Sequence, residues 1–212
     1  MKLQLALDTL SLKQCLDLVE KVKDTVDIVE IGTPVLLEYG LWAVREMKGR
    51  FPDLEVLADA KIMDAGEYEA SQCFEAGADY VTVLGASHDT TISGVVSAAR
   101  KYNRKVMVDM IDVHDLRQRT IEVDRLGVDV ICVHTAFDLQ SSGANPLAEL
   151  EIILSVLQNA DAGFAGGVKL STLGAIAQLQ PSIIVVGGGI TNQADPIQAA
   201  KTMKARMNHE SA

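Results

Sequence analysis

Three residues in the stretch Val56-Leu-Ala-Asp-Ala-Lys-Ile-Met-Asp-Ala-Gly66 could do chemistry together: a lysine, Lys61, lies between two carboxylates, Asp59 and Asp64. The run leading into them is apolar and reads as a strand, along which residues two apart share a side. Asp59 and Lys61 are therefore expected to project together, with Asp64 just beyond in the following loop. Charged groups on a buried strand are costly unless they pair or bind a metal. The cluster is either a structural ion pair or a site that uses a carboxylate beside an ammonium group.

The elements that must position this cluster recur along the whole chain. Short runs rich in β-branched residues are expected as strands at Leu3–Asp8, Asp27–Ile31, Leu54–Lys61, Asp79–Leu84, Lys105–Met110, Val128–His134, Gly163–Gly167 and Ser182–Gly187. Helix-like segments alternate with them, including Val35–Lys48, Val113–Leu126 and Leu173–Leu179. Gly77 and Gly127, in the near-identical phrases Glu75-Ala-Gly-Ala-Asp79 and Arg125-Leu-Gly-Val-Asp129, read as helix C-terminal glycines leading into strands. Strict alternation implies a parallel sheet. Its repetition predicts an α/β fold of the (β/α)8 TIM-barrel type, one domain over residues 1–212. An open doubly wound sheet is the alternative, but no G-x-G-x-x-G follows the first strand, which argues against a dinucleotide site.

Composition bounds the partners. With 29 Asp and Glu against 19 Lys and Arg, the net charge of -10 disfavours nucleic acid and repels phosphorylated ligands at long range. A phosphate would have to be held locally. The first residues alternate like a strand and carry no signal-peptide pattern, and no apolar run reaches membrane-spanning length, so a cytoplasmic protein with no membrane partner is expected. Cys15, Cys73 and Cys132 are scattered without metal-ligand spacing and read as buried structural thiols.

In a barrel of this kind, active sites gather at the C-terminal ends of the strands. Asp8, Glu30, Asp59, Lys61, Asp109 and His134 all fall there. Glu30 and Asp59 could offer oxygen ligands to Mg²⁺, which commonly takes one or two carboxylates; bracing of the barrel mouth is the structural alternative for Glu30. Carboxylates beside Lys61 hold its amine protonated, which suits an electrophile and not a Schiff-base nucleophile. His134 is either a hydrogen-bonded structural residue or the proton carrier of the site, and His88 is a lesser candidate in a mouth loop. Gly166 and Gly167 follow strand seven, and Gly187 and Gly188 follow strand eight. Glycines there let backbone amides approach an anion, and those loops are the usual phosphate site of such barrels.

These residues resemble the orotidine-monophosphate decarboxylase superfamily, whose signature is Asp-x-Lys-x-x-Asp at strand three. The likeness extends over Leu3-Gln-Leu-Ala-Leu-Asp8, Val29-Glu-Ile-Gly-Thr-Pro34, Thr82-Val-Leu-Gly-Ala86, Ile131-Cys-Val-His-Thr135 and Val185-Val-Gly-Gly-Gly-Ile190. Within the superfamily the chain is most similar to the lyases that fix formaldehyde in the ribulose monophosphate pathway. The decarboxylases of 3-keto-L-gulonate 6-phosphate carry arginines where this chain has Phe137 and Gly188, which counts against that activity. A pentulose-phosphate epimerase is a more distant reading, disfavoured because His134 alone among the histidines falls at a strand end.

The resemblance implies an aldolase that joins D-ribulose 5-phosphate to formaldehyde. It assigns Glu30 and Asp59 to a Mg²⁺ or Mn²⁺ ion, Lys61 to the electrophile, His134 to proton transfer and Asp8 to a substrate hydroxyl. It also implies a homodimer with shared active sites, Asp64 reaching into the partner's.

Overall fold

A computed structural model describes residues 1–139 and 146–209. Among these residues, eight parallel strands close in sequence order into a barrel: β1 (Lys2–Leu7), β2 (Ile28–Ile31), β3 (Glu55–Ile62), β4 (Tyr80–Leu84), β5 (Lys105–Asp109), β6 (Val130–His134), β7 (Asp161–Ala165) and β8 (Ile183–Val186). β1 pairs with β2 on one side and β8 on the other, which closes the ring. The expected (β/α)8 barrel is the observed fold.

The helices are α1 (Leu12–Val22), α2 (Thr33–Tyr39), α3 (Trp42–Arg50), α4 (Gly66–Glu75), α5 (Asp89–Tyr102), α6 (Leu116–Asp124), α7 (Pro146–Leu154), α8 (Leu170–Gln178), α9 (Gly188–Thr191) and α10 (Pro196–His209). Several boundaries are set by local chemistry. Ser11 caps α1 through a reciprocal box with Gln14. The segment expected as one helix over Val35–Lys48 is instead α2 and α3, because Gly40 takes a left-handed φ of 60° and ends the first. The run expected as a helix from Val113 begins at Leu116, where Asp115 accepts from the Gln118 amide. β7 starts and ends two residues earlier than expected, which leaves Gly166 and Gly167 free to turn.

Two layers of core follow from the period of the strands. One set of side chains packs between barrel and helices, and includes Leu3, Leu5, Val29, Val56 and Val83. The alternate positions fill the barrel: Ala6, Ile28, Leu57, Tyr80, Met107 and Val130 among them. Burying each large aliphatic or aromatic side chain contributes roughly 1.5–3 kcal/mol. Two residues further along β2, β3, β4 and β5 the same inward column turns polar: Ile28 is followed by Glu30, Leu57 by Asp59, Tyr80 by Thr82 and Met107 by Asp109. All four polar residues are buried. The barrel is therefore apolar in its middle and acidic at its C-terminal mouth.

The opposite end is charged in a different way. Asp27, Asp79 and Asp129 stand immediately before β2, β4 and β6. Each accepts the backbone N–H of the preceding odd strand, from Leu3 at 2.6 Å, Val56 at 2.9 Å and Val106 at 2.8 Å. Each also meets a cation: Lys204, then Lys48 with Arg104, then Arg100. Lys2, Glu55, Lys105 and the buried Tyr80 complete this floor, the two lysines lying 5.9 and 5.2 Å from the Tyr80 ring centroid.

Candidate active site

A cavity of about 880 Å³ opens at the C-terminal mouth. Asp8, Glu30, Asp59, Lys61 and His134 line it, together with Gly166, Gly167, Gly187 and Gly188, so the structure brings together nine of the ten candidate residues. Asp64 is the exception: it is exposed in the loop after β3, accepts the Ala65 amide at 2.8 Å, and does not line its own chain's cavity. His88 stands exposed at the N-cap position of α5, in the loop after β4, makes no side-chain capping bond and does not line the cavity.

Asp59 and Lys61 do meet, but not by simple alternation. The pairing of β3 with β4 shifts between Ala58 and Ile62, and Lys61 itself takes a left-handed φ of 46°. That conformation costs a non-glycine residue about 1–3 kcal/mol and occurs at bulges that re-aim a side chain. Thr82 fills the break: its hydroxyl accepts the Lys61 amide at 2.9 Å and donates to Asp59 Oδ1 at 2.8 Å. Thr33, in the first turn of α2, lies 2.8 Å from Asp59 Oδ2 and 3.2 Å from Lys61 Nζ. The ammonium group is then held by Asp59 and lies 3.6 Å from Asp109.

Electrostatics separates the charged groups into roles. Burial works against the Lys61 ammonium, but Asp59 and Asp109 outweigh it and raise its pKa. Lys61 is a proton-bearing cation throughout the neutral range. Burial also opposes ionisation of Asp109, yet the His134 hydrogen bond, the His134 charge and Lys61 together lower its pKa. Asp109 Oδ2 lies 2.8 Å from His134 Nδ1. With Asp109 ionised, Nδ1 carries the proton and donates, which leaves Nε2 as the basic nitrogen. The strand-end reading noted Asp109 without assigning it a partner; the structure sets it between His134 and Lys61.

The remaining acids repel one another. Burial and the nearby Asp59 charge raise the pKa of Glu30 well above the usual carboxylate range, and the same two causes raise Asp8. Asp8 sits against the backbone: a Cβ added at Gly32 would meet its Oδ1 at 2.0 Å, so only glycine fits there. Glu30 Oε2 accepts from Gln4 Nε2 at 2.7 Å, while Gln4 Oε1 is buried with no partner among the described residues. Three acids pressing on one another, plus an unpaired amide oxygen, form a set of hard oxygen donors. No three His, Cys, Asp or Glu side chains form a ready metal cage among the described residues. The donor set would suit a hard divalent cation such as Mg²⁺, for which Glu30 and Asp59 would be the carboxylate ligands.

Sequence reasoning missed Gln4, Thr33, Thr82 and Lys169. The first three support the charged groups, and Lys169 lines the cavity just beyond Gly167. Gly166 and Gly167 take φ of 96° and 67°, and a Cβ at Gly166 would meet the Thr135 carbonyl oxygen at 2.5 Å.

Comparison with known proteins places this geometry. Residues 1–203 match the family described as orotidine 5'-phosphate decarboxylase / HUMPS. The chain belongs to this family. A Bacillus subtilis member named 3-hexulose-6-phosphate synthase is 52% identical over 204 residues, 96% of this chain and 97% of that protein. A Staphylococcus aureus member of the same name is 46% identical over 205 residues, covering 97% of this chain and 98% of that protein. The crystal structure of 3-hexulose-6-phosphate synthase from Salmonella typhimurium superposes with a TM-score of 0.96 at 42% identity, over 99% of this chain and 100% of that one. The barrel and its order of strands are thus those of the family.

Proposed function

We propose that this chain is a lyase of the aldolase type that condenses D-ribulose 5-phosphate with formaldehyde to D-arabino-hex-3-ulose 6-phosphate, in the ribulose monophosphate pathway. The observation that carries this reading is the near full-length likeness to relatives named 3-hexulose-6-phosphate synthase. The site geometry supports it. A divalent cation, when bound at Glu30 and Asp59, would draw electron density from the ketose carbonyl and its neighbouring hydroxyl and so acidify the C1 proton.

The chain's own groups then account for each proton. His134 Nε2, freed by the Nδ1 bond to Asp109, removes the C1 proton and leaves a 1,2-enediolate. The Lys61 ammonium, fixed by Asp59, Thr33 and Asp109, stabilises the negative oxygen without reorganising. C1 of the enediolate bonds to the formaldehyde carbon, and the oxygen of formaldehyde takes the proton back from His134. Asp8, backed by Gly32 and Gly187, accepts from a substrate hydroxyl. The reverse reaction uses the same groups and releases formaldehyde.

The working protein is a homodimer in this reading. Leu37, Trp42, Met63 and Tyr68 are large apolar residues that are 83, 57, 52 and 70% exposed. They sit on α2, α3, α4 and the loop after β3, where Met63 directly precedes the exposed Asp64. A partner covering them would bring Asp64 toward a neighbouring cavity. Among the described residues no helix is long and apolar enough to cross a membrane.

Purified protein incubated with D-ribulose 5-phosphate, formaldehyde and Mg²⁺ should consume formaldehyde, and chelation should stop it. A protein that leaves formaldehyde untouched with the metal present would overturn the reading.

A further inference from the structure

We infer that Lys169 is the side chain that neutralises the substrate's phosphate and thereby sets the preference for a phosphorylated ketose, an inference that rests on the aldolase reading. The cavity is divided by charge. Its carboxylates come from Asp8, Glu30, Asp59 and Asp109 on the first five strands and from Asp138 just after β6. The sector formed by the loops after β7 and β8 has none: residues 165–169, 187–189 and 191–193 line the cavity there without an acid. A phosphate dianion placed anywhere else on the wall would face a carboxylate.

Two lysines line the cavity among the described residues. Lys61 is committed to Asp59 and Asp109. Lys169 has no carboxylate or other hydrogen-bond partner for its ammonium group among the described residues, although the chain carries ten more acidic than basic groups. Its backbone is held at the start of α8, where its N–H donates to Thr172 Oγ1 at 3.0 Å. The stem is exposed, so the ammonium can reach across the sector.

The surrounding groups are donors. The consecutive left-handed Gly166 and Gly167 turn their amides in a way an L side chain would resist. Across from them, a Cβ added at Gly188 would lie 2.8 Å from Asn192 Nδ2, so the asparagine amide occupies the space over that glycine. No described residue accepts a hydrogen bond from it. Backbone amides and Asn192 supply direction, and Lys169 supplies the charge that a dianion requires.

The test compares Lys169→Ala and Lys169→Arg with the wild-type protein on D-ribulose 5-phosphate and on D-ribulose, with inorganic phosphate as inhibitor. Lys169→Ala should raise KM for the phosphorylated ketose about 10- to 100-fold, with kcat within about threefold. Lys169→Arg should recover most of that loss, and inhibition by inorganic phosphate should weaken in parallel in the alanine variant. D-ribulose should show no comparable change. An equal loss on both substrates, a fall confined to kcat, or unchanged phosphate inhibition would overturn the assignment. Phosphate binding followed by ³¹P NMR separates the two readings: wild-type protein that consumes no formaldehyde, yet binds phosphate through Lys169, would sink the aldolase and leave this site standing.

Discussion

The two ends of the barrel carry similar numbers of charged groups and use them in opposite ways. At the floor, Asp27, Asp79 and Asp129 each take a strand N–H and a cation. At the mouth, Asp8, Glu30 and Asp59 face one another, and burial with mutual repulsion raises the pKa of Asp8 and Glu30. The floor's carboxylates are each matched by a cation and a backbone donor, whereas the mouth crowds like charges together. A barrel strand thus spends its first polar residue on stability and its last on chemistry.

That contrast breaks most sharply at Lys61. Lys61→Ala should lower kcat/KM by about 10³-fold or more, since it removes a prepositioned charge from a buried site, while circular dichroism still reports a folded barrel. Asp59→Ala should behave alike. Unfolding of both variants would return the cluster to a structural ion pair.

At the floor the order of effects should reverse. Asp79→Ala strips a partner from Val56 N–H, Lys48 and Arg104 at once. It should cost about 3 kcal/mol of stability, a fall in Tm of roughly 6–12 °C, with KM unchanged in the folded fraction. A loss of turnover larger than the loss of folded protein would erase the distinction between the ends.

The smallest effect carries a pH signature. Asp8 has a folded pKa above its unfolded value, so its ionisation weakens the fold. The penalty is absent below the unfolded pKa near 3.9 and complete once pH passes the folded one. Asp8→Asn should therefore raise Tm by roughly 1–3 °C at pH 8 and by nothing measurable at pH 3.5. A gain that is the same at both pH values would show that charge is not its cause.

Most of the barrel was legible because strand and helix alternate with clear periods, and the acids were legible because each interrupts an apolar column near a strand end. Ile28 to Glu30 and Leu57 to Asp59 are visible without coordinates. The supports were not. Thr82 on a strand looks like any β-branched residue, and Gln4 looks like a single polar lapse; their roles depend on which strand lies alongside. The break at Lys61 was hidden because no glycine or proline marks it, and strand alternation gave the right neighbours for the wrong backbone. Gly40 was passed over inside an otherwise helical run. Lys169 was unremarkable as sequence, since its meaning comes from the acids that line the rest of the cavity and are missing around it.

The left-handed turn at Lys61 has a consequence for anyone moving this chemistry to another scaffold. Asp59 and Lys61 occupy one strand and Asp64 the loop after it, yet the direction of the lysine is written on the next strand, in the hydroxyl of Thr82 that takes the freed Lys61 amide. Copying the motif alone into a regular strand would aim the ammonium elsewhere. The transferable unit is a pair of strands.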